Sequence, residues 1–99
     1  KRGVVDLYLH LGSEHMVVLR DVVAILRADL TRDGPTREMV QSLRARGKLV
    51  LLPGGPPRSL VLTTTGGYLS PISTLALLRR ARRPFPGQEE DALGRTRQP

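Results

Sequence analysis

Pro53-Gly54-Gly55-Pro56-Pro57 interrupts an otherwise apolar stretch between residues 49 and 64. Proline fixes φ and has no N–H, so no helix crosses this segment and neither Pro56 nor Pro57 can pair within a central strand. The stretch is therefore predicted to form two strands, over residues 49–52 and 59–64, joined by a stiff corner. That corner delivers the chain to Arg58, and the strand apolars Leu60, Val61 and Leu62 follow at once. A cation held on a rigid corner suits a phosphate backbone or a carboxylate across a subunit interface, and the local sequence leaves both open.

Around the corner the periodicities are readable. Leu7, Leu9 and Leu11 alternate with Tyr8 and His10, the period of a half-buried strand, and Gly12-Ser13-Glu14 is a turn signal. Residues 16–19 and 22–26 are short β-branched runs predicted as buried strands, separated by Arg20-Asp21. Pro35 suits a first helical position. Met39, Val40 and Leu43 recur at helical spacing and Gly47 fits a left-handed cap, which predicts a helix over 35–46. Gly66-Gly67 reads as a turn before a short strand at Tyr68-Leu69. Ser70-Pro71 reads as an N-cap and first residue of a C-terminal helix that is apolar through Ile72, Leu75 and Leu78, then basic through Arg79, Arg80, Arg82 and Arg83. Pro84 ends that helix, and residues 84–99 lack apolar periodicity and are expected to be a disordered basic and polar tail. The expected fold is α+β: one domain over residues 1–83, with five to six short strands, a central helix and a C-terminal helix.

Charge narrows the class of partner. The net charge is +7, and arginine supplies fourteen of the sixteen basic residues. The excess is divided between residues 1–78, at +4, and residues 79–99, at +3. A guanidinium donates two parallel hydrogen bonds to a phosphate, so the balance points to a polyanion, although an arginine-rich but otherwise ordinary soluble protein would look the same. Arginines late in a helix also favour its dipole without any ligand. RNA is disfavoured, since Tyr8, Tyr68 and Phe85 alone could stack bases. The absence of cysteine removes disulfide and thiolate chemistry. No apolar run approaches the ~20 residues of a membrane span, and the apolar run after Lys1-Arg2-Gly3 is too short for a signal peptide, so a cytoplasmic protein is expected.

The residues offer little for catalysis. His10, Glu14 and His15 lack the further ligands of a metal site, Ser59 and Ser70 lack a base, and Gly54-Gly55 and Gly66-Gly67 lack nucleotide-motif spacing. No enzyme, cofactor, metal site or small-molecule substrate is expected.

Five segments in order, YLHLG at 8–12, VVLRDVVAIL at 17–26, PTREMVQSLRARGKLV at 35–50, PPRSLVLT at 56–63 and YLSPISTLALLRR at 68–80, resemble the RemA/RemB family of bacterial extracellular-matrix (biofilm) regulators. The HLG and YLSPIS segments look closer to the RemB branch. The resemblance implies a fold similar to LytTR-type DNA-binding domains, homo-oligomeric assembly into a closed ring, and transcriptional regulation through double-stranded DNA in the nucleoid. By position, Arg58 matches the DNA-binding arginine loop, with Gly55 and Pro56 where the RemA branch carries an arginine pair. Arg46, Lys48, Arg79, Arg80, Arg82 and Arg83 are the other candidate DNA contacts. Arg20, Asp21 and Pro35 fall at positions implied for the oligomer interface. A ring-forming scaffold without direct DNA binding is the alternative.

Overall fold

The computed structural model describes residues 7–82; residues 1–6, Arg83 and the tail expected over 84–99 lie outside the described residues. The described chain is α+β. A hairpin of β1 (Tyr8–Gly12) and β2 (His15–Val18) precedes β3 (Val22–Arg27), α1 (Gly34–Ala45), β4 (Leu49–Leu51), β5 (Ser59–Thr63), β6 (Gly66–Ser70) and α2 (Thr74–Ala81). Single 3₁₀ turns, Leu19–Asp21 and Ala28–Arg32, flank β3. Strands β3 to β6 form one sheet in the order β3-β5-β6-β4, with β4 parallel to β6 and the other pairs antiparallel.

The order of this sheet explains the proline corner. Strands β4 and β5 lie on opposite sides of β6, so residues 52–58 must pass over the end of the strand between them. They do so as a strap tied at both ends: Leu52 N–H donates to the Leu69 carbonyl at 3.0 Å and Arg58 N–H to the Ser70 carbonyl at 2.8 Å. The stretch between those ties, residues 53–57, is exposed and contains three prolines with no N–H to satisfy, which makes proline well suited to it.

The first three residues of β5, Ser59 to Val61, are fully buried because the sheet is covered on both faces there. Leu60 points with Leu69 towards Val40 of α1, while Val61 packs with Leu9, Leu11, Val17, Leu52 and Leu77, which come from the β1–β2 hairpin, the strap and α2. Helix α1 takes the predicted face, with Val40 and Leu43 buried, and ends in a reciprocal cap. Gly47 sits at φ +70° while its N–H bonds Arg44 and that of Lys48 bonds Leu43.

Three expectations need correction. Strand β3 is an edge and not a buried strand, and Val23, the extra residue of a bulge against β5, is 67% exposed. Residues 16–19 divide between β2 and a 3₁₀ turn. Gly66-Gly67 opens β6, the turn being Thr64-Thr65: a Cβ on Gly66 would lie 2.6 Å from the Lys48 carbonyl, so glycine is what lets the α1–β4 corner approach.

The start of α2 also differs. Its N-cap is Ser73, whose Oγ accepts from Ala76 N–H at 3.2 Å, and Ser70 is the last residue of β6. The later start changes which face is buried: Leu77 is fully covered, whereas Leu75 and Leu78 are exposed. Ser70 is fully buried, and its hydroxyl donates to the Leu11 carbonyl at 2.6 Å while accepting from Ile72 N–H at 3.0 Å. It thereby ties β1 to the start of the α2 segment. Replacing Ser70 by Ala strands a buried carbonyl and is expected to cost about 1–3 kcal/mol. Replacing the cap Ser73 by Ala should cost about 1 kcal/mol. Urea unfolding at one fixed protein concentration checks both, and a Ser70→Ala midpoint equal to that of the parent chain would show that the buried hydroxyl contributes nothing.

Candidate nucleic-acid interface

The strap fixes Arg58 by its backbone and leaves its side chain exposed. Its N–H is held by Ser70, as above, and its carbonyl accepts from Ala28 N–H at 3.0 Å. That second bond extends the β3–β5 ladder, in which Arg27 lies opposite Ser59. Consequently the end of β3 and the 3₁₀ turn that follows sit beside the strap. Arg27, Arg32 and Arg58 line one open hollow of about 560 Å³, walled by Pro56 and Pro57. Asp29 is the carboxylate in the same lining, 3.2 Å from Arg27 Nε. Both members of that pair are more than half exposed, so the pairing is screened by water and does little to neutralise the hollow.

The remaining basic candidates are placed elsewhere. Arg46 and Lys48, both exposed, lie at the α1–β4 corner. They border a second hollow with the threonines at 63, 64 and 65, at the opposite end of β5 from Arg58. Arg79 and Arg82 are exposed on the last turn and cap of α2. Arg80 is half-buried and turned inward: its Nη1 donates to the His10 carbonyl at 2.9 Å and lies 3.5 Å from His10 Nδ1. It clamps α2 to β1. Arg83 lies outside the described residues.

The three residues implied for assembly fall on two separate elements. Arg20 and Asp21 occupy the 3₁₀ turn before β3, where the Asp21 carbonyl accepts from Thr64 N–H at 2.9 Å. Pro35 is exposed in the first turn of α1. His15 stacks at a tilt on Tyr68, ring centroids 6.0 Å apart, and no three metal-ligand side chains converge among the described residues. No described helix is long and apolar enough to cross a membrane.

Sequence reasoning thus found Arg58 and missed Arg27 and Arg32 as its neighbours. Each of the two reads in isolation as an ordinary surface charge near a turn. The signal that joins them to Arg58 is the pairing of β3 with β5, which no local pattern encodes.

Comparison with known proteins adds a family to this geometry. The model of the RemA-like family, described as Extracellular matrix regulatory protein A-like, matches residues 8–81. Extracellular matrix regulatory protein B of Bacillus subtilis (strain 168) is 32% identical over 75 residues, covering 76% of this chain and 90% of that protein. The family match spans the hairpin, the strap and α2.

The inward turn of Arg80 separates it from its neighbours in a way that can be measured. Arg80→Ala removes a charge-assisted bond to a strand carbonyl and should cost about 1–2 kcal/mol, whereas Arg79→Ala and Arg82→Ala should stay within about 0.5 kcal/mol. Thermal melts of the three variants under one buffer give the ranking; equal melting temperatures for all three would remove the clamp.

Proposed function

The chain belongs to the RemA-like family of extracellular matrix regulatory proteins, and from that premise we propose that it is a ring-forming, homo-oligomeric transcriptional regulator of matrix genes that binds double-stranded DNA by its phosphate backbone. The observation that carries the reading is the gathering of Arg27, Arg32 and Arg58 around one exposed hollow against a single lining carboxylate. Where the RemA branch carries an arginine pair ahead of position 58, this chain has Gly55 and Pro56. Arg27 and Arg32 bring two guanidiniums to the same corner from β3 and the 3₁₀ turn.

A single such corner binds DNA weakly, because each neutralised phosphate releases about one counterion. Repetition around a closed assembly turns the corner into a belt with a high effective concentration of cations. Backbone contact of this kind positions a duplex and reads little of its sequence. The proposal does not route phosphate contact through Arg80, whose guanidinium is engaged within the subunit. Arg79 and Arg82 extend the basic surface, and Arg46 and Lys48 offer a second, separate basic hollow.

Self-association is supported by the free edges of the sheet. Val23 on β3 and Val50 and Leu51 on β4 are exposed apolar side chains on edge strands, and unpaired edges of this kind favour pairing with another chain. In the proposed ring, Arg20, Asp21 and Pro35 sit at subunit contacts. The same exposed edges support the scaffold alternative, in which the assembly forms and its ligand is another protein. The two readings part at Arg58.

Fluorescence anisotropy with two unrelated duplexes of equal length provides the test. Affinities for the two should agree within about fivefold and fall steeply between 50 and 200 mM salt, by roughly a hundredfold or more for several phosphate contacts per assembly. Arg58→Ala should lower affinity more than tenfold and leave the mass by light scattering unchanged, and Arg58→Lys should restore part of the loss as charge without the fork. If Arg58→Ala dissociates the assembly into folded subunits, the arginine is an interface residue and the DNA reading of this corner falls. If the parent chain fails to bind either duplex, the scaffold reading replaces it.

A further inference from the structure

We propose that the hollow formed by Arg27, Arg32 and Arg58 is also a binding site for a free nucleoside di- or triphosphate. The inference shares its arginines with the DNA reading and does not depend on it. At about 560 Å³ the hollow falls within the size range of small-molecule sites, and its lining is divided by chemistry. Three arginines, from β3, the 3₁₀ turn and the strap, line part of it. Pro56, Pro57 and the edge of Leu69 form an apolar part.

The division selects a ligand. A duplex backbone presents its phosphates one per nucleotide, so a small hollow receives one at a time. A linear oligophosphate places two or three phosphates side by side, matching several guanidiniums gathered on one cavity. Inorganic oligophosphate would leave the proline wall uncovered. A nucleoside covers it, because a flat base packs well on rigid pyrrolidine rings that have little conformational freedom left to lose. Asp29 opposes any anion, but it is tied to Arg27, and Arg32 and Arg58 have no carboxylate partner among the described residues. A bound oligophosphate would occupy Arg58, so such a ligand would compete with duplex at this corner.

Titration of the full chain with ATP, ADP, AMP and inorganic tripolyphosphate, at constant ionic strength and in the absence of DNA, tests the site. Backbone amide shifts in NMR, or the heat of binding, provide the readout. Saturable binding at one site per chain is expected, with ATP and ADP at least tenfold tighter than AMP, and ATP several-fold tighter than tripolyphosphate. Arg32→Ala should weaken ATP at least fivefold with the amide spectrum otherwise preserved, and Arg32→Lys should recover part of the loss. Equal affinity for ATP and AMP, equal affinity for ATP and tripolyphosphate, or indifference to Arg32→Ala would each overturn the proposal. Since no DNA is present, an ATP response that persists while duplex binding proves insensitive to Arg58 overturns the DNA reading alone, and the reverse result overturns this inference alone.

Discussion

The strap of residues 52–58 across the end of β6 is the constraint on which the molecule depends. Placing β4 and β5 on opposite sides of β6 lets one short chain make a four-stranded mixed sheet, but it requires a connection that crosses a strand end. That connection can neither extend the sheet nor leave buried polar groups without partners. Hydrogen bonds from Leu52 and Arg58 to the last two residues of β6 close it, and prolines occupy positions where an N–H would have no strand to meet. From the strap follow the burial of Leu52 in the larger core cluster, the position of β5 at the centre, and the projection of Arg58 from a corner that cannot bend away.

The core shows how a chain poor in aromatic residues covers both faces of such a sheet. β5 places Leu60 on the α1 face and Val61 on the face covered by the β1–β2 hairpin and α2, so alternate residues of one strand serve two different clusters. Buried hydroxyls complete the seam. Ser59 donates to the Ile72 carbonyl at 2.6 Å and Ser70 bonds Leu11 and Ile72, so two fully buried serines on adjacent strands fix where the chain leaves β6 for α2. Fully satisfied, such groups specify geometry; a missing partner would make each of them destabilising.

Local chemistry made much of this legible in the sequence, while features set by distant partners were not. The Met39, Val40 and Leu43 spacing with Gly47 located α1 to within a residue, because propensity, periodicity and cap agree there. The Pro/Gly corner located the break between β4 and β5. Ser70-Pro71 carried the same local signature as a true cap, yet Ser70 is held in β6 by Leu11, fifty-nine residues away, and the cap passed to Ser73. Likewise Val22 and its neighbours have the composition of a buried strand, and only the sheet order makes β3 an edge. In the candidate site, Arg58 stood out through its prolines, whereas Arg27 and Arg32 join it through strand pairing that sequence periodicity cannot express.

The parallel pairing of β4 with β6 carries a consequence for the order in which the chain folds. The β5–β6 hairpin closes through Thr64-Thr65 and brings together residues three apart at its tip, as in Thr63 and Gly66, whereas β4 meets β6 with Leu49 opposite Gly67, eighteen residues away. Loop-closure entropy makes the second contact costlier by about 1.5 kcal/mol, and it rewards the chain with a ladder of three residues. β4 therefore joins after the β5–β6 hairpin, and its ladder of three pairs is shorter than the five that hold β3. Amide exchange would register this as opening of β4 below the free energy that opens β5. Detachment of β4 while β3, β5 and β6 stay paired would expose the flank of β6 itself as the edge of the sheet.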